Sequence, residues 1–236
     1  MRKPIIILGG MGPQASVRLH ELLLRKSSAY HDGDGDDYPY IVHFSLPLPD
    51  FINDESRKQE VVAALDAFAP TIKALQPEQV LLACNTAHVL QAEVALMRDP
   101  AFMPLLDVVA GYADSQRFQR IGLLATPTTL RTGLYDRALE RYSIDCVHPI
   151  ASQQHSIEAV IRRVISGKLL TDDRLHLTKI ALSLQKRGAQ AILLGCTELP
   201  LIFDAGQINL PVIDCLDAYA DVSMQLYYLY NRRRHE

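Results

Sequence analysis

At 236 residues, 48% hydrophobic and 22% charged, the chain has ordinary globular composition and enough length to bury a core without disulfides or metals. A formal net charge of −3 and a pI near 6.2 leave no basic stripe for phosphates, which argues against a nucleic-acid partner. No apolar stretch reaches the roughly 18–20 residues of a membrane span, and the run after Met1-Arg2-Lys3 stops at Gly9-Gly10, too early for a secretory leader. The expectation is a soluble cytoplasmic protein with neither a nucleic-acid nor a membrane partner.

In chain order, the β-branched run Ile5–Leu8 predicts a first strand, followed by a glycine loop and an amphipathic helix over Ala15–Ser27. The polar segment His31–Tyr38 predicts a mobile surface loop. Its Asp32, Asp34 and Asp36 imitate calcium-loop spacing, but Asp37 stands where glycine is required and His43 where glutamate is required. Strand Ile41–Phe44 and a helical pattern over Glu55–Leu75 follow, then strand Val80–Ala83, which runs into Cys84. Asp107–Arg120, with Gly111 and a polar end, predicts a crossover linker. Beyond it come strand Ile121–Leu124, helices over Ser156–Ile165 and Asp172–Lys186, strand Ala191–Leu194 leading to Cys196, strand Pro211–Ile213 and a last helix over Leu216–Tyr230. The basic run Arg232–Arg234 reads as its solvated end.

Continuous apolar strands alternating with helices predict an α/β fold with parallel sheets. The landmarks recur. VLLACNT at 80–86 resembles ILLGCTE at 192–198, with the cysteines 112 residues apart; PLLD at 104–107 resembles PVID at 211–214; and ILGGMGP at 7–13 and LLATPTT at 123–129 are each a strand end followed by a loop of small residues. This repetition predicts two pseudo-symmetric parallel-sheet α/β domains with the active site between them: residues 1–104 plus 214–236, carrying Cys84, and residues 105–213, carrying Cys196.

Of the four cysteines, at 84, 146, 196 and 215, none forms a C-x-x-C pair, so zinc ribbons and thioredoxin chemistry are not indicated. Cys84 and Cys196 each follow a buried strand, where ligands of open α/β sheets bind and where a helix start lowers a thiol pKa. Holding an ordinary thiol ionised at neutral pH costs about 2 kcal/mol, which a helix end and a few hydrogen bonds offset. Asn85 and Thr86 supply donors for a carboxylate; Thr197 and Glu198 take their places in the second half, Glu198 either as a thiol-tuning or proton-relay group or as a helix-start carboxylate that favours the dipole. His88, four residues past Cys84, reads as a hydrogen-bonding support. Thr126, Thr128 and Thr129 offer hydroxyls after a strand, with Thr128 or Thr129 as a helix cap. Cys146 and Cys215 read as structural. Gly10-x-Gly12-x-x-Ala15 formally matches a dinucleotide fingerprint. The lone acidic residue that should follow a second strand is missing, so the loop reads as a cradle for a small anion, with Pro13 at the first helical position.

Taken together, GGMGPQAS, ACNTAH, LLAT with its following threonine and Gly-x-Tyr, and GCTELP resemble the aspartate/glutamate racemase superfamily, most closely its aspartate-racemase branch, over nearly the whole chain. The resemblance implies an enzyme that uses no pyridoxal phosphate or other cofactor and no metal, acts on an amino acid, and is homodimeric. It assigns acid/base thiols to Cys84 and Cys196, and substrate contacts to Met11, Gln14, Asp50, Asn85, Thr86, Thr126, Thr129, Thr197 and Glu198. Two departures stand out. Phe51 follows Pro49-Asp50 where the family brings an arginine to the substrate's side-chain carboxylate, and Ile165 takes the place of an expected lysine, with Arg162 or Arg163 near enough to substitute. The reaction this implies is cofactor-independent racemisation of aspartate, glutamate or a related amino acid. One thiolate takes the α-proton, and the opposed thiol returns a proton to the other face. The rival readings are a sister reaction on the same scaffold (hydantoin racemisation, decarboxylation or cis–trans isomerisation), an NAD(P)-dependent oxidoreductase, and a non-catalytic amino-acid-binding protein.

Overall fold

The computed structural model describes residues 2–49, 51 and 55–232. They divide into two compact units, Met1–Leu105 with Leu216–Glu236, and Leu106–Cys215. No described helix is long and apolar enough to cross a membrane.

The first unit holds β1 (Ile5–Gly9), α1 (Pro13–Ser27), β2 (Ile41–Ser45), α2 (Lys58–Ala74), β3 (Gln79–Leu82) and β4 (Phe102–Met103). Its sheet runs β2-β1-β3-β4, and every pairing is parallel, with Ile5 opposite both Ile41 and Gln79. Ile5, Ile6 and Ile7 are fully buried, so both faces of β1 are covered, as a central parallel strand requires. Each such side chain removed from water contributes about 1.5–3 kcal/mol. Ile6, Leu8, Val80 and Leu82 share a core with Val61, Leu65, Ala69 and Ile72 of α2. The segment after α1 is anchored rather than loose. Asp37 pairs with Arg2 at 3.2 Å, and its carbonyl accepts from Arg2 and from the Tyr228 hydroxyl.

The second unit holds α3 (Leu105–Ser115), β5 (Arg120–Leu124), α4 (Pro127–Arg131), α5 (Leu134–Glu140), β6 (Asp145–Val147), α6 (Ala151–Ser166), α7 (Asp173–Lys186), β7 (Ala191–Leu194) and β8 (Val212–Asp214). Its sheet order, β6-β5-β7-β8, repeats that of the first, again with parallel pairings throughout. Leu124, Ile192 and Leu194 share a core with Ile157, Val160 and Ile161 of α6 and Leu177, Ala181 and Leu184 of α7. The expected linker at Asp107–Arg120 is mostly helix: α3 buries Leu105, Leu106, Val109, Ala110 and Ala113, a helical spacing. Gly111 fits because a Cβ there would lie 3.1 Å from the Tyr142 hydroxyl.

The last helix, α8 (Cys215–Arg232), belongs to the first unit from Leu216 onward. Leu216, Tyr219, Ala220, Ser223, Met224 and Tyr227 form its buried stripe. The Gln79 side chain donates to the Ser223 carbonyl at 3.0 Å and accepts from the Ser223 hydroxyl; the Tyr219 hydroxyl donates to the Met103 carbonyl.

In the second unit, a buried carboxylate on α7 is held by a charge on α6. Asp173 accepts from Arg163 at 2.9 and 2.5 Å and from the Leu170 amide at 2.9 Å. The hydrogen bond from Arg163 lowers the Asp173 pKa. Its contribution is therefore complete above the ordinary carboxylate pKa and is lost as pH falls through the depressed folded value. We expect Asp173→Asn to lower stability by about 2–3 kcal/mol at neutral pH. Urea denaturation across pH will show a shallower acid-side decline for the variant; identical slopes would count against this assignment.

Candidate active site

In a sheet ordered β2-β1-β3-β4, the chain leaves β1 towards one edge and returns on its other side as β3. The ligand crevice of such a sheet lies at the carboxyl ends of these two strands. The second sheet has its corresponding point at β5 and β7.

In the first unit, β1 ends in a tight glycine turn. Gly10 has φ +106°, and a Cβ there would sit 1.7 Å from the Leu46 carbonyl oxygen, so only glycine lets β1 and the chain after β2 approach so closely. Gly12 has φ 80° and Pro13 opens α1 as expected. Met11 is half-buried against the core, and Gln14 is exposed on the first turn of α1. The Ala83 amide donates to the Leu8 carbonyl at 3.0 Å, extending the β1–β3 pairing by one residue. Cys84 comes next and continues the buried face of Val80 and Leu82. Cys84, Asn85 and Thr86 are all buried.

His88 fixes this strand end. Its Nε2 accepts from the Leu105 amide at 3.0 Å, and its Nδ1 lies 2.9 Å from the Cys84 carbonyl. A ring whose Nε2 accepts an N–H must carry its proton on Nδ1, so the imidazole is neutral and donates to Cys84. His88 is a backbone clamp, in keeping with the supporting role expected of it.

The second unit repeats the arrangement with different chemistry. The Gly195 amide donates to the Leu124 carbonyl at 2.8 Å, the counterpart of Ala83 and Leu8. Cys196 continues the face of Ile192 and Leu194. A Cβ at Gly195 would lie 2.9 Å from the Tyr135 ring and 2.7 Å from Leu123; fully buried Tyr135 packs beneath this strand end. The Cys196 thiol donates to Glu198 Oε2 at 3.1 Å, and the Thr197 hydroxyl donates to the same oxygen at 2.8 Å. Thr126 caps α4: its Oγ1 accepts from the Thr129 amide at 3.2 Å and donates to Thr129 Oγ1 at 3.0 Å. The cap is Thr126 rather than Thr128 or Thr129.

Burial drives the Cys196 thiol well above its ordinary pKa, and the Glu198 charge adds to the effect. A helix dipole lowering this pKa was expected, but the chain supplies none. Cys84 is followed only by a five-residue 3₁₀ segment, Thr86–Leu90, and Cys196 by the three-residue Leu199–Leu201. Both are too short to present an aligned N-terminal dipole.

The profile of the Asp/Glu/hydantoin racemase family matches residues 8–222. The chain belongs to this family of racemases. It is 22% identical over 230 residues to the broad specificity amino-acid racemase RacX of Bacillus subtilis, covering 95% of this chain and 98% of that one. A putative Asp/Glu racemase from Yersinia pestis superposes with a TM-score of 0.82 at 22% identity, covering 96% of this chain and 99% of the other. The Picrophilus torridus aspartate racemase superposes with a TM-score of 0.76 at 28% identity, covering 97% and 99%.

Phe51 is buried in the first unit's core beside α2, so an apolar ring occupies the position where an arginine was expected; Asp50, an expected substrate contact, lies outside the described residues. Ile165 is exposed on α6. The two arginines that could have replaced the missing lysine are engaged, Arg162 with Glu158 at 2.7 Å and Arg163 with Asp173. Two residues to which the sequence assigns no site role bear on Cys196 in this racemase. Tyr135 underlies Cys196, and Cys215, fully buried at the start of α8, adds its charge to the upward shifts of both Tyr135 and Cys196.

Removing the Glu198 charge relieves the repulsion a Cys196 thiolate meets. We expect Glu198→Gln to lower the Cys196 pKa and to speed its alkylation by iodoacetamide at fixed neutral pH. Peptide mapping of the alkylated cysteines checks this, and a slower reaction at Cys196 would refute it.

Proposed function

We propose that this racemase inverts the α-carbon of an amino acid with two thiols, Cys84 and Cys196, and without a cofactor. The supporting observation is a coincidence of register: in each sheet, the strand across the switch point gains one extra ladder bond and then presents a buried cysteine, at Ala83–Cys84 and at Gly195–Cys196. A single base held in place cannot serve both faces of a tetrahedral carbon. One sulfur, as thiolate, takes the Cα proton and leaves the electron pair delocalised into the α-carboxylate; the other, as thiol, delivers its proton to the opposite face. After turnover the two protonation states are exchanged, and the enzyme is set for the reverse direction.

Cys196 is the resting proton donor in this scheme, because burial and Glu198 keep its sulfur protonated. The carbanion must be stabilised by a preorganised carboxylate site. We assign that site to the amides of the glycine turn near Met11 and Gln14, to Asn85 and Thr86, and to the Thr126, Thr129 and Thr197 hydroxyls. Asp50 remains assigned as a substrate contact on the resemblance alone.

The substrate reading follows from charge. With Phe51 in the core and Arg162 and Arg163 in ion pairs, the described positions that the resemblance offered for a side-chain carboxylate are apolar or engaged. This supports an amino-acid substrate not restricted to the acidic ones, or a different clamp for an acidic side chain. The described breadth of the Bacillus subtilis relative supports the former. The working protein is a cytoplasmic homodimer; sedimentation at twice the 26.4 kDa chain mass checks the assembly.

In deuterated water, the product enantiomer should carry deuterium at Cα. Cys84→Ala and Cys196→Ala should each reduce racemisation by about 10²–10⁴-fold, with α-proton exchange of one enantiomer persisting, while Cys146→Ala leaves the rate unchanged. Chiral chromatography with mass detection, on a panel of amino acids, reads the enantiomers and their deuterium content together. Racemisation that survives loss of both thiols ends the proposal.

A further inference from the structure

Away from the strand ends, the second unit gathers a carboxylate, a thiol and an imidazole. Asp136 on α5, Cys146 on β6 and His148 just past β6 each offer one ligand atom, and all three atoms lie within 4.8 Å of one another. Cys146 and His148 are alternate residues of one extended segment and share a face; α5 packs against β6 and supplies Asp136. The group is half-buried, with the side chains of His148 and Asp136 36% and 38% exposed, so an ion has access.

A second observation points to a cation. Asp136 Oδ1 lies 2.6 Å from His148 Nε2, but the other carboxylate oxygen, Oδ2, is buried with no hydrogen-bond partner among the described residues. Leaving a buried acceptor unsatisfied costs about 1–3 kcal/mol. The His148 hydrogen bond and, to a smaller extent, the Arg137 charge lower the Asp136 pKa, but the neighbouring guanidinium groups direct hydrogen bonds elsewhere. The Arg137 guanidinium donates to the Thr132 carbonyl at 2.5 Å, and that of Arg187 to the His148 carbonyl at 2.5 Å.

We propose that Asp136, Cys146 and His148 form a binding site for a thiophilic divalent metal ion of the zinc class. The S, N, O donor set selects zinc or cobalt over calcium or magnesium, which prefer all-oxygen sites. Tetrahedral zinc bonds of about 2.0–2.3 Å place ligand atoms roughly 3.3–3.6 Å apart, within reach of small side-chain rotations here. Binding breaks the Cys146 S–H bond, releases that proton to solvent and forms the sulfur–metal bond; the hydrogen bond from His148 Nε2 to Asp136 gives way to two metal bonds, with Nε2 losing its proton and the neutral imidazole keeping one on Nδ1. The ion ties α5 to β6. Because α5 also carries Tyr135 beneath Cys196, occupancy stiffens the layer under that strand end and stabilises the folded second unit. This inference is independent of the racemisation scheme.

The test uses full-length protein stripped with a chelator and titrated with Co²⁺. A thiolate-to-cobalt charge-transfer band should saturate at one equivalent, and zinc should raise the thermal midpoint. The band should persist in a Cys84→Ser/Cys196→Ser variant, which removes the thiols assigned to catalysis, and disappear in Cys146→Ser. His148→Ala and Asp136→Asn, which keep the Cys146 thiol, should each weaken binding at least tenfold and abolish the zinc-induced rise in midpoint; they carry the test if Cys146→Ser does not fold. Absence of the band at stoichiometric cobalt, its survival in Cys146→Ser, or unchanged affinity in both His148→Ala and Asp136→Asn would overturn the proposal.

Discussion

A parallel strand that ends inside a protein must pass its backbone polar groups to something other than the next ladder rung, and the chemistry of this chain is organised around how two strands do so. β3 and β7 each gain one further hydrogen bond to the central strand, from Ala83 to Leu8 and from Gly195 to Leu124. The next residue in each case is a cysteine that still follows the two-residue alternation of the strand, and so points into the same packed face as the leucines before it. Position, burial and depth of the two sulfurs thus follow from register.

Within this shared frame, the halves differ in how they treat the cysteine. In the first, the control is exerted on the backbone: His88, held neutral by accepting from Leu105, donates to the Cys84 carbonyl. In the second, it is exerted on the sulfur: Glu198 accepts from Cys196 and Thr197 together, over a floor made by Tyr135. The two strand ends are alike in register, and the residues that follow them differ: burial and the Glu198 charge raise the Cys196 thiol pKa, while His88 binds the Cys84 backbone.

Much of this was legible in the residues. β-branched runs located six strands to within a residue or two, and the recurrence of small-residue loops and Cys-polar-polar triplets marked both strand ends. The failures have physical causes. The first turn of α6, Ala151–Gln153, has no apolar periodicity to announce it, so the helix was expected only from Ser156. Gly111 and a polar tail disguised α3, whose buried stripe at 105, 106, 109, 110 and 113 was present in the sequence. The end of a buried strand suggests a helix start after each cysteine, whereas the chain makes only short 3₁₀ segments there. The Asp136–Cys146–His148 grouping depends on how α5 lies against β6, which no spacing rule encodes, although the alternation of Cys146 and His148 was visible.

The return of α8 to the first unit has a consequence for how the chain is built. The second unit is one uninterrupted segment, whereas the first is completed only by residues from Leu216 onward. Its closing contacts, Gln79 with Ser223, Met103 with Tyr219 and Asp37 with Tyr228, span 144, 116 and 191 residues. Contacts of such separation close slowly. On a ribosome, the second unit has all its own residues before the first does, and the amino-terminal sheet must wait, with the surface that α8 will cover still exposed to water, until α8 has been made.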